Sequence, residues 1–101
     1  MRLEAEQIRT IKQTVDEIVG EDSEVYLFGS RTDDTRRGGD IDLLVEGRKP
    51  VDPDMRLSQR IALKSRLHQL LGEQQIDLIM HYPDMPVTAF QKMVKKTAIR
   101  L

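Results

Sequence analysis

The chain has 101 residues, the size of one domain, so we expect a single domain over residues 1–101. Lysine and arginine total 16 against 17 acidic residues, and 4% of the chain is aromatic, which makes nucleic acid an improbable partner. The absence of cysteine excludes disulfides, thiolate zinc sites and a thiol nucleophile. The sequence has no apolar stretch of about 18 residues and no signal-peptide core, so we expect a cytoplasmic protein without a membrane partner.

The first half of the chain predicts one helix and two strands. Apolar residues recur every three or four positions from Leu3 to Val19, the spacing of an amphipathic helix that ends at Gly20. The segments Glu24 to Gly29 and Asp40 to Gly47 are rich in β-branched and aliphatic residues, which is typical of strands. The polar segment 30–39 joins them as a surface loop, so the two strands form a hairpin with a long connection.

The second half predicts a helix, a third strand and a last helix. Asp52 or Asp54 can cap the first of these helices, which ends at Gly72. Its predicted apolar stripe consists of Leu57, Ile61, Leu67, Leu70 and Leu71. A strand follows from Gln75 to Met80. The predicted apolar face of the last helix consists of Val87, Phe90, Val94, Ala98 and Leu101. This order indicates an α+β fold, a small sheet with helices packed on it.

A pair of acidic residues stands at the start of the second predicted strand. Asp40 and Asp42 are two residues apart, so their side chains leave the same face of the strand. Their Cα atoms are then about 6.5 to 7 Å apart, a span from which two carboxylates can converge on a pair of Mg²⁺ ions. The competing interpretation is a solvated strand end or a pair that caps a turn.

Three further features give the acidic pair a context. Gly29 and Ser30 end the first strand, where a glycine lets the backbone approach phosphate and a serine offers its hydroxyl and amide. Asp77 is a third carboxylate, embedded among apolar residues of the third strand, where an unpaired charge is costly. It either joins the site or pairs with an arginine for structural reasons. Arg31 is a candidate phosphate ligand in the connecting loop.

Two groups of basic residues carry no assigned function. Arg36 and Arg37 also lie in the connecting loop, and each taken singly is more typical of a solvated charge. The basic residues near the end of the chain are typical of a solvated helix face, with a partner surface as the alternative. They are Lys92, Lys95, Lys96 and Arg100. Neither histidine is proposed as a catalytic residue. A packed or half-solvated role is the commoner case for a residue placed like His68, and His81 shares the strand face of Asp77 but lies four residues on, beyond easy contact.

The combination of these motifs resembles a known family. A strand-end Gly29-Ser30, the sequence DIDLLV from Asp40 and the sequence IDLI around Asp77 resemble the minimal nucleotidyltransferases of the DNA polymerase β superfamily. The resemblance covers nearly the whole chain. It implies a mixed-sheet nucleotidyltransferase core, two Mg²⁺ ions, and ATP or another nucleoside triphosphate as the donor. It also implies pairing with a small all-helical toxin of the HEPN class.

The resemblance also implies a role for each motif residue. Gly29 and Ser30 would hold the triphosphate, whereas Asp40, Asp42 and Asp77 would bind the metal ions. Asp77 would also lie where the attacking hydroxyl is deprotonated, which agrees with general base catalysis by a carboxylate. Arg31 has no motif position, and its assignment to phosphate binding rests on charge alone.

These observations lead to one hypothesis and two alternatives. The hypothesis is an antitoxin that transfers AMP from ATP to a tyrosine hydroxyl of its toxin. The first alternative is a non-catalytic module that neutralises its partner by docking. The second is a nucleotidyltransferase that acts on the hydroxyl of a small molecule. A homodimer is a further option, because a sheet of few strands leaves apolar surface to cover.

Overall fold

The computed structural model describes residues 3–29, 41–72 and 74–101. Within these residues the chain forms α1 (Ala5–Ile18), β1 (Glu24–Phe28), β2 (Ile41–Glu46), α2 (Pro53–Leu71), β3 (Ile76–His81), α3 (Ala89–Thr97) and β4 (Ile99–Arg100). The four strands make one sheet in the order β3-β2-β1-β4. The sheet is mixed, because β2 is parallel to β3 while β1 is antiparallel to both β2 and β4. The α+β prediction is therefore confirmed.

Local sequence signals fix where the helices begin. Asp52 caps α2, since its Oδ1 accepts a hydrogen bond of 2.9 Å from the amide of Met55, and Pro53 follows at the first helical position. A capping box opens α3, where Thr88 and Gln91 each accept a hydrogen bond from the other's backbone amide.

The main core lies between one face of the sheet and the two longer helices. Alternate residues of each strand point into it, so that Ile41, Leu43 and Val45 of β2 are all fully buried. α1 and α2 contact each other and cover this face. α3 covers part of the opposite face, where Leu44 is buried.

The predicted apolar stripe of α2 is wrong in most of its members. The fully buried residues of α2 are Leu63 and Leu67, whereas Leu57 and Ile61 are 57% and 59% exposed and Leu70 is 53% exposed. Apolar residues are distributed around most of this helix, so their spacing selects no single face. Contact with α1 and β3 decides which side is buried.

The last predicted helix is too long. α3 ends at Thr97, and Ala98 adopts an extended backbone that leads into β4. Ile99 and Arg100 pair with Leu27 and Tyr26 of β1, so the final residues extend the sheet rather than the helix. Ala98 and Leu101 thus lie outside the helix, and pairing at the free edge of β1 outweighs the helical spacing.

Candidate active site

Two of the predicted carboxylates lie side by side on the sheet. Asp42 of β2 and Asp77 of β3 are direct partners in the parallel register, so their side chains leave the same face. Neighbouring strands are about 4.8 Å apart, which places the two acidic groups within reach of one ligand. This face is the one opposite the main core, because the residues on either side of Asp42 point into that core.

Gly29 brings the backbone after β1 directly against Asp42. Phe28, the last residue of β1, is the antiparallel partner of Asp42. Gly29 then takes a φ of +77°, in the left-handed region that favours glycine. A Cβ added at this position would collide with Oδ2 of Asp42 and lie 3.1 Å from its Cγ. The turn therefore requires glycine both for its conformation and for the space beside the carboxylate.

Asp77 does not occupy the apolar environment that the sequence suggests. Its neighbours Ile76 and Leu78 are buried in the core, but the alternation of the strand turns Asp77 to the other face, where it is half-buried. No ion pair formed within residues 3–29, 41–72 and 74–101 involves Asp77. The structural alternative, a pairing with an arginine, thus finds no support in these parts of the chain.

The donor atoms of this edge suit a hard divalent cation. Carboxylate oxygens are the ligands that Mg²⁺ prefers, and two of them come from adjacent positions of rigid strands. No group of three metal-ligating side chains lies among the described residues. The third predicted ligand, Asp40, lies outside them, as do Ser30, Arg31, Arg36 and Arg37. Their assignments stay predictions.

An aromatic pair next to the carboxylates was missed by the sequence reasoning. The rings of Phe28 and Phe90 meet edge to face, with centroids 6.3 Å apart and an interplanar angle of 82°. Phe90 is 50% exposed, although its helical spacing predicted a buried residue. A signal was present in the sequence, because Phe28 immediately precedes the glycine of the predicted phosphate turn.

A polar cluster holds α3 at the other end of the same sheet face. Nζ of Lys95 lies 2.7 Å from Oε1 of Glu46 and 5.1 Å from the ring centroid of Tyr26. The hydroxyl of Tyr26 donates a 2.5 Å hydrogen bond to Oε2 of Glu24. This bond lowers the pKa of Glu24, and the Glu46 carboxylate raises the pKa of Lys95. These contacts fix α3 on the sheet.

His81 belongs to this cluster and not to the carboxylate pair. Its Nε2 donates to the carbonyl of Met85 at 3.1 Å, and its Nδ1 lies 3.7 Å from Oε2 of Glu46. The imidazole thus ties the segment before α3 to the end of β2. The sequence prediction that His81 lies beyond contact with Asp77 agrees with this geometry.

A cleft in the described part of the chain lies away from the carboxylate pair. It has a volume of about 630 Å³ and lies where β2 and β3 end, lined in part by Gly47, Lys49 and Tyr82. Asp42 and Asp77 lie at the opposite ends of these strands. This cleft is therefore separate from the carboxylate pair.

Comparison with known proteins agrees with this geometry. A chain in a crystal structure of the toxin-antitoxin MntA-HpeT, in a mutant form, superposes with a TM-score of 0.61 at 18% identity and covers 97% of this chain and 71% of its own length. This similarity supports the polymerase β-like nucleotidyltransferase fold. No curated protein shows a significant sequence match.

No helix in the described parts of the chain is long and apolar enough to cross a bilayer.

The comparison with family models identifies the family of the chain. Residues 8–100 match the family model described as a nucleotidyltransferase domain. The matched range includes Gly29, Asp42 and Asp77. The chain therefore belongs to the nucleotidyltransferase domain family.

Proposed function

We propose that this chain is a Mg²⁺-dependent cytoplasmic nucleotidyltransferase that transfers AMP from ATP to a tyrosine hydroxyl of a partner protein. The observation that carries the proposal is the pairing of Asp42 with Asp77 on one sheet face, beside a turn that only glycine can make. The membership of the chain in the nucleotidyltransferase domain family supports the type of reaction.

In this proposal each residue of the edge has a defined task. Asp40, Asp42 and Asp77 would hold two Mg²⁺ ions, while Gly29, Ser30 and Arg31 would hold the triphosphate. When bound, Mg²⁺ would stabilise the negative charge that develops on the phosphates. Asp77 accepts the proton of the attacking hydroxyl. The hydroxyl oxygen then forms a bond to the α-phosphorus, the bond from that phosphorus to the bridging oxygen breaks, and pyrophosphate leaves.

The proposed partner is an all-helical HEPN-type toxin, which the modification would neutralise. The MntA-HpeT comparison supports a toxin as the partner, because that structure is of a toxin-antitoxin pair and its matching chain has the same fold. The mutant form in that structure carries two aspartate-to-glutamate changes two positions apart, the same spacing as Asp40 and Asp42 here, which supports the acidic pair as part of the site.

Mass spectrometry of the partner tests the proposal. The purified chain is incubated with Mg²⁺, each of the four nucleoside triphosphates in turn, and the protein encoded by the adjacent gene. We expect one nucleotidyl adduct on a tyrosine with ATP, and none with Asp42→Asn or Asp77→Asn. Asp16→Asn is the matched control, because Asp16 is an exposed carboxylate on α1, across the sheet from the site.

Each result separates the candidate functions. An adduct that depends on Asp42 and Asp77 supports the enzyme. A partner that binds and is neutralised without modification favours the docking module. If the partner neither binds nor changes, and a small hydroxyl compound is modified instead, the acceptor is a small molecule.

A further inference from the structure

An apolar surface extends from the carboxylate pair onto the outside of α3. We call it the α3 patch, and it consists of Phe28, Phe90 and Met93. Phe90 is 50% exposed and Met93 is 61% exposed. They are three residues apart on a helix, so their side chains are neighbours on its surface. Adjoining exposed apolar side chains mark interaction sites more often than isolated ones do.

The α3 patch begins next to the proposed chemistry. Phe28 is the cross-strand partner of Asp42 on the same face of the sheet, and its ring contacts that of Phe90. A molecule that covers Phe90 and Met93 therefore lies beside Asp42. An acceptor hydroxyl must come this close to the carboxylates for transfer to occur.

The surroundings of the α3 patch are basic. Residues 85–101 include four lysines and arginines and no acidic residue, although the whole chain has a net charge of -1. Lys95 is paired with Glu46, whereas Lys92 and Lys96 are exposed on α3. The charge complementary to this rim is negative, so the surface suits an apolar contact bordered by acidic side chains.

The surface is also held in place before any partner arrives. The Lys95–Glu46 ion pair and the Thr88–Gln91 capping box fix the two ends of α3. A preformed surface loses little conformational entropy on binding. A docking role for the helix thus requires no rearrangement of its backbone.

We infer that the α3 patch binds the acceptor protein, through an apolar surface bordered by acidic residues, and so brings the acceptor hydroxyl to the carboxylate pair. This inference rests on the proposed function. A nucleobase is the other ligand that an exposed aromatic ring can take. One nucleobase covers about one aromatic ring. Because the α3 patch extends from Phe28 to Met93, its size favours a protein over a nucleobase as the ligand.

The test compares two doubly substituted chains. Phe90→Ser with Met93→Ser removes the exposed part of the α3 patch. Leu57→Ser with Ile61→Ser is the matched control, because these residues are 57% and 59% exposed on α2, on the other side of the sheet. Thermal unfolding establishes that both chains fold. Affinities are measured for the purified protein of the adjacent gene and, separately, for Mg²⁺ with a non-hydrolysable ATP analogue.

We expect the α3 substitutions to weaken partner binding by about tenfold or more, as for truncation of a central aromatic contact. Affinity for the ATP analogue should change less than about twofold. The α2 control should keep both affinities. A second variant, Lys92→Glu with Lys96→Glu, leaves the aromatic contact in place and should weaken partner binding most at low salt.

Three outcomes overturn the inference. These are unchanged partner affinity in both α3 variants, loss of ATP-analogue affinity in place of partner affinity, and absence of partner binding by the unsubstituted chain. The second of these assigns the ring to a nucleobase. The proposed function is tested separately, because a partner that binds through the α3 patch and is never modified contradicts the transfer reaction while supporting the docking surface.

Discussion

Substitution of Gly29 by alanine is the most direct test of the geometry at the carboxylate pair. Gly29 has a φ of +77°, and a left-handed conformation costs an alanine about 1–2 kcal/mol. The new Cβ would also collide with Oδ2 of Asp42. Moving that carboxylate off its rotamer adds about 0.5–1.5 kcal/mol. We therefore expect Gly29→Ala to lower the free energy of unfolding by about 1.5–3.5 kcal/mol.

Gly72→Ala separates backbone strain from the collision. Gly72 also has a positive φ, of +89°, but no atom lies within 4 Å of an added Cβ, and the residue ends α2 on the far side of the sheet. It should lose about 1–3 kcal/mol from strain alone. Denaturant unfolding of both variants gives these two losses.

The decisive difference lies in activity. Gly29→Ala should lose nucleotidyl transfer and Mg²⁺-dependent ATP binding, because the Asp42 carboxylate is displaced, whereas Gly72→Ala should retain both. Radiolabelled transfer from ATP to the partner, measured well below the unfolding temperature of each variant, provides the comparison. Full activity in Gly29→Ala, or equal loss in the two variants, would refute the assignment of this turn to the site.

Three other predictions address the core, a shifted pKa and the metal. Leu63→Ala should lower the free energy of unfolding by about 2–5 kcal/mol because Leu63 is fully buried. Leu57→Ala should change it by less than about 0.5 kcal/mol. Denaturant unfolding measures both, and a larger loss in Leu57→Ala would contradict the assignment of Leu63 to the buried side of α2. The hydrogen bond from Tyr26 lowers the pKa of Glu24 below its ordinary value of 4.5. The ionised carboxylate therefore stabilises the fold at any pH above 4.5, and this stabilisation is lost as the pH falls through the lowered pKa. Glu24→Gln should therefore destabilise the chain at neutral pH and converge with the unsubstituted chain in acid, and a pH-independent difference in unfolding would count against this account. We expect Mg²⁺ and ATP to raise the unfolding temperature of the unsubstituted chain and Asp77→Asn to abolish this rise. The stability of Asp77→Asn without metal should change by less than about 0.5 kcal/mol. Thermal unfolding with and without Mg²⁺ checks this, and an unchanged rise in Asp77→Asn would exclude Asp77 from the metal site.

The sequence predicts the strands well because they depend on local patterns. β1, β2 and β3 are short aliphatic runs bounded by glycine or polar residues, and all three lie within two residues of their predicted limits. The pairing of Asp42 with Asp77 is different. It depends on the parallel register between β2 and β3, which the intervening helix brings about and which no local pattern specifies.

The errors in the apolar stripe of α2 and in the end of α3 have one physical source. In both places the sequence allows two arrangements, and only contacts with the rest of the fold select one. Leu57 and Ile61 are as apolar as Leu63 and Leu67, and only the position of α1 and the sheet decides which pair is buried. The end of α3 shows the same effect. Ile99 continues the helical spacing, yet the free edge of β1 offers hydrogen bonds that a longer helix could not provide.

The outer face of β2 combines the attachment of a helix with one of the two paired carboxylates. Along this strand Asp42, Leu44 and Glu46 point away from the main core. Leu44 is buried beneath α3 and Glu46 binds Lys95 of that helix, so two of the three residues serve to attach it. Asp42 lies beyond this attachment and next to Gly29. The contact of Phe90 with Phe28, the cross-strand partner of Asp42, also attaches the helix at this end, so α3 and the carboxylate share one face of the sheet.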